Sequence, residues 1–285
     1  MPDDRASASR YRRANVGAMT PVTKAQISNI HETAIVDAAA QAPASCKIGP
    51  YCVVGPDVEM GEDCELISHV QLQGPTRLGA HNRIFPFASV GLPPQDLKYK
   101  GEPTWLEIGD HNTIREFVTL HRGTPGGGGV TRIGSHCLIM AYVHVAHDCE
   151  IGSHVIMANA ATLAGHVSVE DYAMVGALCP VHQYVRIGAY SYIGGGTTIT
   201  RDVLPFSKTS AAREAKAYGV NALGLERRGF SPERLKKIHH AYRLLLNSKL
   251  NTSQAVAKLR TEGKLSDDVE QLIRFVEASE RGVIK

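Results

Sequence analysis

The sequence predicts an all-β, left-handed parallel β-helix of hexapeptide repeats, followed by a small α-helical C-terminal domain. Two observations predict it: an aliphatic residue recurs at every sixth position, and all the cysteines occupy one position of that repeat. A helix repeats every ~3.6 residues and a strand every two, so neither element alone gives a period of six. Three hexads, each a short strand and a corner, would close one triangular coil of 18 residues.

Internal repetition covers most of the chain. Twelve consecutive hexads fill residues 133–204, and each begins with Ile, Val, Leu or Met. The same register covers residues 30–95, weakened only at Ala42, and three more hexads fill residues 108–125. We expect the first residue of each hexad to point inward and stack on neighbouring coils. The second is commonly glycine, which we expect to tolerate the corner dihedral angles.

The cysteines provide an internal check of this register. The fifth hexad position should be small because it also faces the narrow interior, and all six cysteines stand there. No CxxC pair or zinc-type spacing is present, so we interpret them as small buried hydrophobic residues. With no sign of a disulfide framework, the expected compartment is the cytoplasm. The six are Cys46, Cys52, Cys64, Cys137, Cys149 and Cys179.

The register also predicts the domain boundaries. We expect an extension at 1–26, a prism over 27–208, and a linker with a helical domain over 209–285. The hexad pattern breaks at 92–107 and 122–132, which predicts loops leaving the prism. Long loops on a rigid scaffold often carry recognition residues.

The C-terminal part changes to helical spacing. Ser231 before Pro232 is typical of a helix start, with a capping residue and proline in the first turn. Ser266 precedes a second helical pattern that carries Val269, Leu272 and Ile273. These patterns predict a small helical bundle.

Composition narrows the class of protein. The 285 residues carry a formal net charge of +3, with 21% charged and 43% hydrophobic residues. This small basic excess argues against a nucleic-acid partner, and no apolar run approaches the ~18 residues of a membrane span. The first twenty residues lack the apolar stretch of a secretory signal. A disordered extension, or initiation at Met19, is expected there.

Stacking of coils predicts where chemistry sits. Positions 18 apart lie above one another, so His147, Gly165 and Gln183 share one column, and Asp148 and His166 share the next. An imidazole can accept a proton at neutral pH, a neighbouring carboxylate can orient it, and a glycine N–H can face a developing oxyanion. Adjacent strand residues point to opposite faces, so pairing His147 with Asp148 requires a corner.

Other polar residues are ambiguous on the sequence alone. Arg227-Arg228 suits phosphate but is equally an exposed charged pair, and Lys98 in the first loop has the same ambiguity. Fourth hexad positions are outward corners, and histidines there are expected to be solvated. These are His69, His81, His111, His136, His154 and His166.

Several motifs, in order and at compatible spacing, resemble one enzyme family. Over about residues 27–285 the chain is similar to the UDP-N-acetylglucosamine O-acyltransferases, which perform the first step of lipid A biosynthesis. The segments are QDLKYKGEP (95–103), HRGT (121–124), AHDC (146–149), NAATLAGHVSV (159–169), VHQ (181–183), GVN (219–221) and ERRGF (226–230).

The resemblance implies a homotrimer of β-helices with active sites in clefts between subunits. It implies transfer of an (R)-3-hydroxyacyl chain from acyl carrier protein to the 3-hydroxyl of UDP-N-acetylglucosamine, without a covalent acyl-enzyme, cofactor or metal. By position, His147 matches the general base, Asp148 its orienting carboxylate and Gly165 the oxyanion donor.

The resemblance also implies binding roles. Gly195 matches the position that limits acyl length, and Leu223 stands where better-known members carry an acidic residue. Residues matching the sugar and pantetheine region are Asp96, Lys98, His121, His144 and His166. Residues matching the nucleotide side are Gln183, Asn221, Arg227 and Arg228.

Other functions stay open at this point. A related β-helix acyltransferase could acylate an amino sugar or use acetyl-CoA. A zinc-dependent hydratase of the same fold would use histidines such as His144 and His147 as ligands, and chelators would abolish its activity. A flat-faced binding protein would show partner binding without turnover.

Overall fold

The computed structural model describes residues 29–211 and 215–284; the predicted extension at 1–26 lies outside them. The chain winds into a triangular prism whose three faces are mostly parallel sheets. From β2 to β23 successive strands fall on successive faces, so each face takes every third strand. The hexapeptide-repeat β-helix predicted from the sequence is therefore confirmed.

Each face is a ladder of short strands, numbered here in chain order. Face I holds β1 (Ile35–Val36), β3 (Val53–Val54), β6 (Gln71–Leu72), β9 (Ser89–Leu92), β12 (Thr119–His121), β15 (His144–Val145), β18 (Thr162–Leu163) and β21 (Pro180–Val181). Face II holds β4 (Val58–Met60), β7 (Thr76–Leu78), β10 (Trp105–Ile108), β13 (Val130–Ile133), β16 (Glu150–Ile151), β19 (Ser168–Val169) and β22 (Arg186–Ile187). Face III holds β2 (Lys47–Ile48), β5 (Glu65–Leu66), β8 (Arg83–Ile84), β11 (Thr113–Ile114), β14 (Leu138–Ile139), β17 (Ile156–Met157), β20 (Met174–Val175), β23 (Tyr192–Ile193), β24 (Ser207–Ala211) and β25 (Ala215–Val220).

The interior follows the predicted positions. The first residues of the hexads stack as buried aliphatic columns; Ile48, for example, lies over Leu66 in parallel register. All six cysteines are free and buried, as the fifth position requires. Burial raises the pKa of the Cys149 thiol to about 12. The cysteines are thus packing residues.

The corners differ from the prediction. Non-glycine residues with positive φ, from Tyr51 to Tyr190, stand at the fourth hexad position, whereas a second-position glycine such as Gly49 does not have positive φ. A Cβ on Gly49 would lie 1.8 Å from the Ile67 carbonyl oxygen of the next coil. Glycine is needed at the second position because neighbouring coils approach closely there, not because of the corner dihedral angles.

Side chains at the fourth positions stack along the three edges of the prism. The first edge joins face I to face II, the second joins II to III, and the third joins III to I. On the second edge His81, His111, His136 and His154 stack with ring centroids 4.6–4.9 Å apart. Such contacts offset part of the cost of left-handed backbone. These histidines are exposed or half-buried, but they also form an ordered ladder.

Both loops are shorter than predicted. Strand β10 begins at Trp105 and β13 at Val130, so the loops span 93–104 and 122–129. Residues ahead of the inward aliphatic position pair with neighbouring strands: Trp105 lies opposite Val130. The hexad pattern is carried by the first position of each repeat and therefore misses these strand starts, even though Leu106 is also buried.

The C-terminal part begins with more sheet than predicted. Strands β24 and β25 form an antiparallel hairpin that extends face III beyond β23. β24 begins at the end of the predicted prism, and β25 lies within the range predicted as linker and helical domain. Four α-helices follow among the residues that the structure describes, and Ser231 caps the second, accepting a hydrogen bond from the Arg234 N–H. Across the described residues no helix is long and apolar enough to cross a membrane. The helices are α1 (Ala222–Glu226), α2 (Pro232–Asn247), α3 (Thr252–Thr261) and α4 (Asp267–Glu277).

Candidate active site

The first edge of the prism brings an imidazole and a carboxylate together. His147 and Asp148 lie between β15 and β16, and Asp148 occupies the left-handed corner with φ 59°. The corner turns the two adjacent side chains to the same side, as the pairing requires. The His147 Nδ1 lies 2.8 Å from the Asp148 Oδ2. With its Nδ1–H donated to the carboxylate, the imidazole keeps a free lone pair on Nε2.

The carboxylate is deeply buried and held on all sides. Its side chain is 1% exposed, against 18% for the imidazole. The Thr124 N–H donates to Oδ1 at 2.7 Å and the Thr124 Oγ1 donates to Oδ2 at 2.6 Å. The Asp148 N–H donates to the Thr131 Oγ1 at 2.8 Å. Asp148 therefore has a fixed orientation toward His147.

Gly165 lies against the imidazole, one coil further along the prism. A Cβ there would lie 2.6 Å from the His147 Cε1 and 3.0 Å from its Nε2. Side chains bind the N–H of the equivalent third-position residues in other coils: Asp171 binds that of Ser153, and Glu170 that of Ala189. Within the described residues the Gly165 N–H has no such partner. It is free to donate to a ligand beside His147.

His166 completes a compact polar group. Its Nε2 lies 3.7 Å from the Asp148 Oδ2, and its ring meets that of His147 edge-on at 5.3 Å. Among the described residues, only His147, Asp148 and His166 form a group of three potential metal ligands, with atoms within 4.8 Å of one another. The zinc hypothesis named His144, whose Nδ1 instead lies 2.7 Å from the Thr119 Oγ1. The distance of 2.8 Å between the His147 Nδ1 and the Asp148 Oδ2 is that of a hydrogen bond.

Two further histidines line the same region in their neutral form. His121 is 4% exposed, and burial, with smaller effects of His144 and His147, lowers its pKa to about 4. Burial, with a smaller effect of His147, also lowers the pKa of His144. Their rings meet edge-on at 5.2 Å. The site therefore offers neutral imidazoles, which can hydrogen-bond a polar substrate without adding charge.

The two loops close a cavity over this edge. Asp96 and Lys98 of the first loop share a cavity of about 350 Å³ with Thr124 of the second loop, and with His166 and Tyr184 of the prism. The Lys98 N–H donates to the Asp96 Oδ1 at 3.0 Å. Gln183 is exposed on the same edge, one coil above Gly165. Eight of the candidate residues are thus close to His147 along one edge.

The remaining candidates lie elsewhere. Asn221, Arg227 and Arg228 line a cavity of about 600 Å³ on face III, together with Leu223 and Lys208. The Asn221 side chain donates to the Tyr190 carbonyl. Gly195 is exposed at the third edge. Within one chain, these residues are on other sides of the prism from His147.

Reasoning from sequence missed Thr124, Gly127 and Thr131 as site residues. Thr124 ends the HRGT segment at 121–124, but its contact with Asp148 depends on how the second loop folds back. A Cβ on Gly127 would lie 2.0 Å from the Asp148 Cγ, so the run of glycines in the loop was the available signal.

Comparison with known proteins identifies the family. A protein-family model described as domain 2 of UDP-N-acetylglucosamine O-acyltransferase matches residues 202–284. A second family model, for six bacterial transferase hexapeptide repeats, matches residues 131–165. The acyl-[acyl-carrier-protein]–UDP-N-acetylglucosamine O-acyltransferase of Thermodesulfovibrio yellowstonii is 49% identical over 91% of this chain and 100% of its own length. The Myxococcus xanthus enzyme of the same name is 48% identical over the same shares.

Solved structures agree. The UDP-N-acetylglucosamine O-acyltransferase of Moraxella catarrhalis has a TM-score of 0.87 at 42% identity, covering 90% of this chain and 100% of that one. The Acinetobacter baumannii structure has a TM-score of 0.87 at 44% identity over the same shares. Both the predicted left-handed β-helix and the predicted family are thereby confirmed. The chain belongs to the acyl-[acyl-carrier-protein]–UDP-N-acetylglucosamine O-acyltransferases, the acyltransferases of the first step of lipid A biosynthesis.

Proposed function

We propose that this chain transfers an (R)-3-hydroxyacyl group from acyl carrier protein to the 3-hydroxyl of UDP-N-acetylglucosamine, with His147 as general base. The observation that carries this assignment is the imidazole held by Asp148 at 2.8 Å over the bare backbone of Gly165. A base and an amide donor side by side suit attack of a hydroxyl on a thioester carbonyl.

In this reaction the His147 Nε2 takes the proton of the sugar hydroxyl as its oxygen attacks the thioester carbon. Asp148 stabilises the imidazolium that forms, and the free Gly165 N–H donates to the carbonyl oxygen as it gains negative charge. The carbon–sulfur bond then breaks, and the imidazolium returns the proton to the leaving thiolate. The products are the sugar ester and the free carrier thiol, so no covalent enzyme intermediate is needed.

The cavity under the two loops suits the glucosamine and the pantetheine arm. Asp96 and Lys98 line it beside His166, while the neutral His121 and His144 lie next to the base. A carboxylate, an ammonium and neutral imidazoles offer donors and acceptors for sugar hydroxyls. Gln183 on the same edge is assigned to the nucleotide side.

The second cavity suits the diphosphate. Arg227, Arg228 and Lys208 line it beside Asn221, and guanidinium groups match phosphate oxygens in pairs. The Arg228 guanidinium also lies 5.4 Å from the ring of Tyr172, which limits its freedom. Leu223 adds an apolar side chain to this cavity, so we expect it to make van der Waals contact with the nucleoside.

A homotrimer is part of the proposal, and the surfaces of the prism support it. Face II is a ladder of exposed ion pairs, with Arg77 and Arg132 bound to glutamates at 3.0–3.4 Å. The third edge, opposite this charged face, instead exposes large apolar side chains that are each 43–68% exposed. We call these residues the apolar edge: Tyr51, Phe87, Phe117, Tyr142 and Leu178.

Three copies that pack their apolar edges together would turn faces I and III toward neighbours and leave face II in water. Face III of one copy would then lie opposite face I of the next, which is bordered by the first edge. Such packing would bring the cavity of Arg228 toward the His147 of a neighbour and supply the site that one chain lacks. The unpaired buried cysteines fit a reducing compartment, so the proposal includes the cytoplasm.

Product analysis tests the reaction. Purified enzyme, UDP-N-acetylglucosamine and a mixed pool of (R)-3-hydroxyacyl carrier proteins should give one dominant acyl-sugar nucleotide by mass spectrometry. Ester linkage to the 3-hydroxyl is the expected result. Failure to form product, or acylation only from acetyl-CoA, would overturn the proposal.

Light scattering tests the trimer. Phe117→Glu puts a charge on the apolar edge and should give monomers without acyl transfer. Arg132→Gln, on the charged face, is the control and should remain trimeric. A monomeric wild-type chain with full activity would contradict the shared site.

A further inference from the structure

The second loop, residues 122–129, folds back onto the carboxylate that orients the base. Thr124 binds both oxygens of Asp148: its N–H reaches Oδ1 at 2.7 Å and its hydroxyl reaches Oδ2 at 2.6 Å. The same Oδ2 lies 2.8 Å from the His147 Nδ1. With both oxygens held, the carboxylate cannot rotate away from the imidazole. We propose that Thr124 is a positioning residue for acyl transfer, acting on His147 through Asp148; this inference rests on the proposed function.

The glycines of the loop make the contact possible. A Cβ on Gly127 would lie 2.0 Å from the Asp148 Cγ, so the loop backbone rests directly on the carboxylate. Gly128 and Gly129 have φ of +95° and +81°, which L side chains rarely adopt. The glycine run thus lets the loop turn tightly and close over Asp148.

Another corner of the prism shows what the loop adds. Asp57 stands at the same hexad position on the same edge, also with positive φ, but no loop covers it and it is exposed. Asp148 is buried under Thr124 and Gly127. The prism alone therefore gives a solvated aspartate at such a corner. At Asp148 the second loop covers the carboxylate, excludes water and fixes its orientation.

Thr124→Val removes the hydroxyl donor and keeps the side-chain shape. A hydrogen bond to a charged group carries enough free energy that kcat should fall by ~10–100-fold. The KM for UDP-N-acetylglucosamine should change less than kcat, because Thr124 lines the cavity but directs both its N–H and its hydroxyl at Asp148. Thr124→Ser keeps the hydroxyl and should recover most of the lost kcat. Thermal unfolding and light scattering check that each variant folds and assembles.

A double-mutant cycle tests the route through Asp148. In an Asp148→Ala background, Thr124→Val should cause no further loss of kcat. Gly127→Ala should lower kcat, since its Cβ would lie 2.0 Å from the Asp148 Cγ. Gly126→Ala adds a Cβ that meets no protein atom within 4 Å but lines the cavity, so it should act mainly on KM.

These experiments distinguish failure of the positioning role of Thr124 from failure of the proposed reaction. Wild-type kcat in Thr124→Val, no recovery in Thr124→Ser, or an undiminished effect of Thr124→Val without Asp148 would overturn the positioning role. His147→Ala is measured alongside. If that variant loses activity while Thr124→Val does not, only the positioning role fails; if it keeps full activity, the proposed function itself fails.

Discussion

Replacing Gly165 by alanine perturbs the geometry of the base while leaving every catalytic group in the chain. The new Cβ would lie 2.6 Å from the His147 Cε1, and its Nε2 and Nδ1 would be 3.0 and 3.1 Å away. Ordinary van der Waals contact begins at 3.4 Å, so the ring must move by ~0.8 Å. Misplacement of a reacting group by ~1 Å can cost about 10²-fold in rate. We therefore expect kcat to fall by ~10–100-fold.

The backbone should tolerate this change. Gly165 is not among the glycines with positive φ, so alanine can adopt its conformation, and overpacking of this kind costs ~1–3 kcal/mol of unfolding free energy. Gly55→Ala is a matched control, because its Cβ would also lie 2.6 Å from a neighbour, the flexible Gln73 Oε1. Gly55 lies several coils away from His147, so Gly55→Ala should keep wild-type kcat.

The assay follows formation of the acyl-sugar nucleotide at saturating substrates, with thermal unfolding of both variants. Loss of kcat in Gly165→Ala but not in Gly55→Ala, with both proteins folded, is the expected result. A Gly165→Ala enzyme with wild-type kcat would refute the close stacking of the imidazole on this backbone.

Three further outcomes are expected. Burial holds the pKa of His121 at about 4 against 6.5, so between these values the unfolded chain binds a proton that the folded chain excludes; stability is lost as pH falls, by ~2 kcal/mol at pH 5. His121→Gln should flatten this fall in melting temperature, and equal pH slopes would contradict it. Gly195→Met should shift the product profile of a mixed acyl pool to shorter chains, whereas an unchanged profile would remove Gly195 from the acyl site. Arg228→Ala should mainly raise the KM for the UDP-sugar, and an effect confined to kcat would show that it does not bind the nucleotide.

The prism could be predicted from the sequence because its physics repeats. An inward aliphatic residue and a small fifth residue recur in coil after coil, so a single error cannot shift the register. The same periodicity predicts that His147 stacks on Gly165, and it places a corner at Asp148. Stacking in a β-helix converts sequence separation directly into distance.

The features that could not be predicted are those that the hexad pattern does not determine. Second-position glycines are needed for close approach between coils; Gly49, for example, packs against the Ile67 carbonyl, and only coordinates reveal such a contact. The hexad pattern does not detect the strand starts at Trp105 and Val130 or the hairpin of β24 and β25. These segments pair through backbone hydrogen bonds outside the runs of aliphatic first positions, although Leu106 in the first of them is buried in the core.

The second loop is the clearest example at the site. The sequence GTPGGGG indicates a loop, but nothing in it specifies that Thr124 will bind Asp148, which lies 24 positions further along the chain. That contact depends on the path of the loop across the first edge. The separation of His147 from the cavity of Arg228, which the proposed trimer would bring together, likewise follows from the shape of the prism.

The single-turnover rate of acyl transfer by His147→Ala measures the contribution of the base most directly. With enzyme in excess over the acyl donor, the rate constant should fall by ~10²–10⁴-fold relative to wild type, while light scattering shows an unchanged assembly and added imidazole restores part of the rate. A rate constant near the wild-type value would contradict the assignment of proton transfer to this imidazole.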